Sequence, residues 1–456
     1  MRKSLLKLII SSLGVLIFFN SASPQQKIVG YYPTWSDMPF NNLELNNLTH
    51  IIQAFALPNP DGSIALSGGI PNPDLVMAAH STNVKILISF ANDTSDSFGK
   101  ISADSSLRSV FISNIAQFLS TNHYDGIDID WEFPTTRQSG QLTVLVKELR
   151  QKFNMVDSTW LITMAVPAGS FNGQNFQYEN MKAYIDWYSI MGYDFHGSWS
   201  NHTGHNAPLY KSPKDSDGDD SSSVQYMNIV RRIPASKLLL GVPFYGKEFD
   251  SKGLYQPLLD SVVSALTYSE IIGTVSPRNW NYYWDSVSYV PYYMSDDSTK
   301  FITFDDTLSI KLKTKFSISK KLGGVMIWAL GQDLINNNQP LLEVIGRTIH
   351  EIPTAVTDNR QKDLYSSSGY NLFNNYPNPF NPSTIISWHL ADAGFVTLKI
   401  YDVLGREVET LVNGYQNAGA HSIIFNSNRA PYSSGVYFYK LSSGNYISVK
   451  KMMLIK

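Results

Sequence analysis

Residues 124–134 read YDGIDIDWEFP, four acidic side chains in eleven positions with apolar residues between them. From Ile127 to Phe133 the alternation has the period of a β-strand. Ile127, Ile129 and Trp131 then face one way, and Asp128, Asp130 and Glu132 face the other. Neighbouring carboxylates on that face would stand roughly 6–7 Å apart at the backbone. At ~7 Å and an effective dielectric of ~20, two like charges repel by about 2.4 kcal/mol, nearly two pKa units. The three cannot easily ionise together, so a shared proton or a raised pKa is expected. A carboxylic acid that keeps its proton near neutral pH can act as a general acid. The motif contains no basic residue to form an ion pair and no histidine at ligand spacing, so catalysis is favoured over a structural ion-pair or metal cluster. Asp125 lies an odd number of positions from the triplet and is assigned a structural hydrogen bond where the strand begins.

Around this stretch, β-rich apolar runs alternate with helical patterns. The runs are 27–35 (KIVGYYPTW), 48–56 (LTHIIQAFA), 84–92 (VKILISFAN), the acidic stretch itself, 160–169 (WLITMAVPAG), 185–194 (IDWYSIMGYD), 238–246 (LLLGVPFYG) and 323–331 (GGVMIWALG). Such density of Val, Ile, Leu and aromatics suits strands covered on both faces. Leu142, Leu145, Val146, Leu149 and Phe153 recur at helical spacing, and Val110, Ile115, Phe118 and Leu119 do so more loosely. Eight strands alternating with helices predict a (β/α)8 TIM barrel, whose active site lies at the C-terminal ends of the strands. Glu132 falls at that end of the fourth strand, with Asp128 and Asp130 deeper. The long connection between the seventh and eighth runs predicts a small α+β insertion over about 250–310, forming one wall of a groove.

The N-terminus carries Arg2, Lys3 and Lys7, then an apolar run, then Ser21, Ala22 and Ser23. That is the pattern of a signal peptide over 1–23, and the run is shorter than the ~20 residues that span a bilayer. A secreted, extracellular protein, possible also at the cell surface, is expected, with no transmembrane segment in the mature chain. Having no cysteine, it must rely on core burial for stability. A net charge of −2 gives no reason to expect nucleic acid as a partner. Residues 350–370 read as a polar linker. From 371 to 456, six short β-rich runs without helical interruption predict an antiparallel β-sandwich.

YDGIDIDWEFP resembles the D-G-x-D-x-D-W-E signature of glycoside hydrolase family 18, the chitinase family. Met191-Gly192-Tyr193-Asp194 is similar to the family's M-x-Y-D at the sixth strand. Gly241 to Gly246 (GVPFYG) resembles the seventh-strand segment, and Trp328 matches the eighth-strand tryptophan. The resemblance spans 27–349 and implies retaining hydrolysis of β-1,4-linked N-acetylglucosamine polymers, with the substrate's own acetamide as nucleophile. By that resemblance Glu132 is the acid and then the base. Asp130 orients the acetamide nitrogen, alternating between it and Asp128. Tyr193 bonds the acetamide oxygen, Asp194 supports the same sugar, and Trp328 stacks beneath the ring. Residues 371–456, with NYPNPFNP, VTLKIYDVLGREVETLV and SSGVYFYKL, resemble the type A sorting domain of the type IX secretion system. Its machinery is therefore an expected partner, beside chitin or chitooligosaccharides.

Met191 is assigned to the cleft floor, and Tyr31, Trp35, Phe55, Tyr245 and Trp199 are candidates to line sugar subsites. No cofactor and no metal are expected, and the chain is read as a monomer. The acidic loop 215–220 (DSDGDD) lacks the glycine position and the twelfth-position Glu of a calcium loop and reads as a solvated loop. Two features depart from the family pattern: Ala91 and Asn92 stand where S-x-G-G is common, and Lys247 stands where many chitinases have Arg. Two alternatives share the carboxylate pattern: an endo-β-N-acetylglucosaminidase acting on glycoprotein glycans, and a non-catalytic chitin-binding lectin. The insertion, as one wall of a deep groove, favours a linear polymer. The presence of Glu132 argues against the lectin.

Overall fold

The structure, a computed structural model, describes residues 26–350 and 370–455 apart from positions 37, 93–94, 216, 276–278, 374, 376–377, 428–431 and 445. The expected signal peptide and nearly all of the linker lie outside the described residues.

Eight parallel strands form the barrel: β1 (Lys27–Pro33), β2 (His50–Pro58), β3 (Lys85–Ala91), β4 (Gly126–Asp130), β5 (Leu161–Pro167), β6 (Trp187–Met191), β7 (Leu238–Pro243) and β8 (Gly324–Trp328). Strand β1 pairs with both β2 and β8, which closes the sheet on itself. All eight runs read from the sequence are strands, and each has its hydrophobic content for the expected reason. Ile127, Ile129 and Trp131 of the acidic stretch point outward into the layer between barrel and helices. There Trp131 stacks on Phe98 with centroids 5.2 Å apart. The helix Ser139–Val156 buries Leu142, Leu145, Val146, Leu149 and Phe153 in the same layer. In the preceding helix, Ser105–Asn122, Val110 is exposed, and Phe111 and Ile112 take the buried stripe with Ile115, Phe118 and Leu119.

Strand β4 is shorter than the alternation implied. Its ladder ends with Ala91 opposite Asp130 on one side and Met164 opposite Ile129 on the other. Trp131, Glu132 and Phe133 therefore have no strand partner, and Glu132 sits just beyond the strand's C-terminal end. Gly126 starts the strand because nothing larger fits: a Cβ there would lie 2.2 Å from the Leu161 carbonyl oxygen.

The insertion is a five-stranded antiparallel sheet in the order 258–267, 245–251, 300–303, 290–295, 280–285, with a helix at Tyr268–Thr274. It starts earlier and ends earlier than 250–310, because Tyr245 already pairs within it and Thr307–Ser319 is the barrel helix that leads to β8. After residue 370, a three-stranded and a four-stranded antiparallel sheet share one core that includes Ile386, Trp388, Val396, Leu398, Tyr439 and Met452. Trp388 is 1% exposed and belongs to that core.

Candidate active site

Strand register builds the site in levels. At the lowest, Ser89 of β3 and Thr163 of β5 lie directly beside Asp128. All three hydroxyls within reach donate to its carboxylate: Tyr31 Oη at 2.7 Å, Ser89 Oγ at 2.9 Å and Thr163 Oγ1 at 2.6 Å. Burial pushes the Asp128 pKa up, and the three donors only partly offset that.

Asp130 lies one level higher, buried, with Oδ1 lacking any hydrogen-bond partner. Burial raises its pKa well above the carboxylate range, and the charges of Glu132 and Asp128 add to this. Its carboxyl is hydrogen-bonded to that of Glu132. Such a bond requires one of the two carboxyls to be protonated, so the pair titrates as a unit. The sequence called for a shared proton or a raised pKa within the row. In the structure Asp128 is already occupied by hydroxyl donors, and Asp130 turns to Glu132.

Glu132 opens to solvent at the rim, and its backbone N–H donates to Asn92 Oδ1 at 2.8 Å. Burial of its carboxyl raises its pKa, the hydrogen bond to Asp130 pulls it down, and the charge of Asp194 raises it further. Tyr193, on the loop after β6, is held protonated by burial and by the nearby carboxylates, Asp130 first among them. Its hydroxyl contacts Met326 Sδ at 4.0 Å, too weak a partner to occupy a phenol donor. Met191 is half-buried in the interior cluster with Trp187 and Tyr193, below the opening.

Asp194 adopts φ +60°, a left-handed conformation that Asp tolerates better than most residues. Its Oδ1 accepts from Tyr245 Oη at 2.6 Å and pairs with Lys247 Nζ at 2.6 Å. Lys247 also donates to the His196 carbonyl at 2.8 Å and lies 4.5 Å from the Trp199 ring centroid. Its single ammonium thus makes three contacts, without the planar fork of an arginine. A cleft of about 320 Å³ is lined by Asp194, Trp199, Tyr245, Lys247, Thr267, Trp328 and Gln332, so the insertion supplies part of its wall.

Aromatic rings extend the cleft across the barrel mouth. Trp328 stacks on Phe55 at 5.8 Å, and the Trp35 ring, 62% exposed, lies tilted beside Phe55 at 5.9 Å. Tyr31 does not join this surface. It is 1% exposed and lies under Trp328, its hydroxyl committed to Asp128, so it braces the acids rather than lining a subsite. Asn92, Thr267 and Gln332 were not assigned to the site from sequence. The mismatch to S-x-G-G was the one signal that marked Asn92. Asp125 accepts from the Ile86 N–H at 2.8 Å and meets His80 at 2.9 Å, fixing the start of β4 against β3.

The acidic loop is not solvated as a whole. Asp219 caps the helix Asp220–Gln225, Asp220 is buried 3.5 Å from Lys313, and Asp215 turns inward, 7% exposed, towards His196.

With this geometry in place, residues 27–333 match the sequence model of "Glycosyl hydrolases family 18". The chain belongs to glycosyl hydrolase family 18. Residues 374–456 match "Secretion system C-terminal sorting domain", the type IX sorting tail. This family 18 enzyme is 26% identical to Chitinase A1 of Niallia circulans, over 81% of this chain and 68% of that one. It superposes on catalytic domain 2 of the Ostrinia furnacalis Group II chitinase, a mutant solved with penta-N-acetylchitooctaose. There the identity is 27% and the TM-score 0.66, covering 72% of this chain and 97% of the other. It also superposes on human YKL-39, described as a pseudo-chitinase with retained chitooligosaccharide binding, at 25% identity and a TM-score of 0.66, over 71% and 100% of the two chains. The sorting tail implies export to the outside or the cell surface. No helix among the described residues is long and apolar enough to cross a membrane.

Proposed function

We propose that the protein is a secreted chitinase that cleaves β-1,4-N-acetylglucosamine linkages with retention, using the substrate's acetamide as nucleophile. The observation that carries this reading is the carboxyl row itself: Asp128 fixed by three hydroxyl donors, Asp130 buried above it, and Glu132 open to solvent at the rim. Glu132 protonates the glycosidic oxygen, then takes a proton from the incoming water. Asp130, released from Glu132, orients the acetamide nitrogen and balances the charge that develops there. Asp128, fixed by three hydroxyls, anchors the row. Tyr193 donates its weakly engaged hydroxyl to the acetamide oxygen, and Asp194, held by Tyr245 and Lys247, supports the same sugar. Trp328 carries the sugar ring on its exposed face, with Phe55 and Trp35 continuing the stacking surface.

The pseudo-chitinase among the structural relatives makes binding without hydrolysis a real alternative. The retained Glu132, with its raised pKa, favours hydrolysis. The insertion-walled cleft favours a linear polymer over a branched glycan. Assaying chitin oligomers beside a high-mannose glycoprotein tests the substrate: release of short N-acetylglucosamine oligomers from the first and no glycan from the second is expected, and the reverse would establish the glycan reading. The C-terminal sandwich directs export by the type IX machinery, and the enzyme acts as a monomer. Deleting 371–456 is expected to abolish release from the producing cell while leaving the specific activity of the barrel unchanged. Normal release of the truncated chain would refute the sorting role.

A further inference from the structure

Within the single long connection 192–219, between β6 and the helix Asp220–Gln225, four side chains converge. His196 and His202 follow β6, and Asp215 and Asp217 precede the helix Asp220–Gln225. Each offers one ligand atom, and all four atoms lie within 4.8 Å of one another. His196 is completely buried, and its Nδ1 lies 3.0 Å from the His205 carbonyl. His202 Nδ1 lies 3.1 Å from the Thr203 carbonyl. A carbonyl only accepts, so both rings carry a proton on Nδ1, and in its neutral form each presents an Nε2 lone pair. This is how metal-bound imidazoles are held.

The two carboxylates face that lone pair. His196 Nε2 is 3.0 Å from Asp217 Oδ2 and 3.4 Å from Asp215 Oδ1, yet neither oxygen is aligned for a hydrogen bond and the nitrogen has no hydrogen-bond partner. A ligand nitrogen should look like this, because its lone pair points at the ion and the other ligands lie off that axis. In a tetrahedral zinc site with bonds of about 2.0–2.1 Å, neighbouring ligand atoms stand roughly 3.3 Å apart, close to the two separations seen here.

We propose that His196, His202, Asp215 and Asp217 form a structural site for one divalent transition-metal ion, with zinc the best match. Two imidazoles and two carboxylates in a four-ligand set suit zinc, whereas calcium wants six to eight oxygens. Asp217, its side chain 41% exposed, gives the ion a way in. The site clamps the first part of the connection after β6 to its acidic end. Because the His196 carbonyl receives Lys247, which holds Asp194, the clamp also backs one wall of the cleft.

The test is zinc titration into the full chain, produced without a histidine tag and stripped with chelator. Calorimetry should show one saturable site per chain, and zinc should raise the thermal midpoint by a few degrees. Asp217→Asn, at the open edge, should keep the fold and weaken zinc binding at least tenfold. Combining it with His202→Ala should abolish binding, while His80→Gln, outside the cluster, should change nothing. Absence of saturable zinc binding, or binding that the double variant retains, would overturn the proposal. So would saturable calcium binding without zinc binding. The first result would mean that His196 is a protonated imidazolium held by the two aspartates alone.

Discussion

Asn92 Oδ1 accepts the backbone N–H of Glu132 at 2.8 Å, where strand β4 has run out of ladder partners. In the sequence Asn92 stood out only as a replacement for a usual glycine. The side chain instead takes over the job of a missing strand neighbour and fixes the segment carrying the acid. Asn92→Ala should lower kcat by about three- to tenfold, the equivalent of one hydrogen bond of roughly 0.5–1.5 kcal/mol, with KM nearly unchanged. Steady-state kinetics on a chitooligosaccharide decide it. A raised KM with unchanged kcat would mean that Asn92 contacts sugar instead.

The pH dependence follows from the same carboxyl row. Glu132 must carry its proton when the substrate binds, so activity is lost as pH rises through its pKa. Burial raises that pKa, and the charge of Asp194 raises it further. Removing that charge in Asp194→Asn should therefore move the alkaline limb of the kcat/KM profile to lower pH. A limb that stays in place or moves upward would show that Asp194 does not act on Glu132 electrostatically.

Tyr31 supports Asp128 from beneath Trp328, and its loss should be felt in stability. Tyr31→Phe removes one of three donors to a buried carboxylate, worth about 1.5–3 kcal/mol for a bond to a charged group. The sign of the pH effect is also fixed. Asp128 has a folded-state pKa above its ordinary value, so its contribution to stability falls as pH rises from the unfolded pKa through the folded one. Losing the Tyr31 hydroxyl, which lowers that pKa, should make the deficit larger at pH 7 than at pH 4. Urea denaturation at the two pH values checks both size and sign.

Gly126 is required by space. A Cβ would lie 2.2 Å from the Leu161 carbonyl oxygen and 2.6 Å from its nitrogen, both backbone atoms in the adjacent strand. Gly126→Ala should destabilise the barrel by about 3 kcal/mol, read as a lower midpoint of denaturation. An unchanged midpoint would mean that β4 and β5 can part at little cost.

The barrel was legible because strands covered on both faces become long apolar runs, and the acidic triplet stood out against them. Helix Ser139–Val156 was equally plain, since its buried positions keep strict spacing. What the sequence hid depends on contacts between distant segments. Tyr31 resembled any aromatic at a strand end, and only the closed barrel brings it to Asp128, 97 positions away. The strand alternation ran on through Glu132 because a pattern cannot show where a neighbouring strand stops. The acidic loop looked solvated because its histidine partners lie more than ten positions upstream in the same connection, at spacings that match no familiar ligand motif.

The central claim is that Glu132 performs hydrolysis, and chitooligosaccharide cleavage by the wild type and by Glu132→Gln tests it most directly, with the anomer of the first product followed by NMR. The wild type should release the β-anomer first. The variant should bind the oligosaccharide comparably and turn it over at least about a hundredfold more slowly, within the usual range for loss of a general acid. A wild type that binds without cleaving, or a variant that cleaves at the wild-type rate, would contradict it.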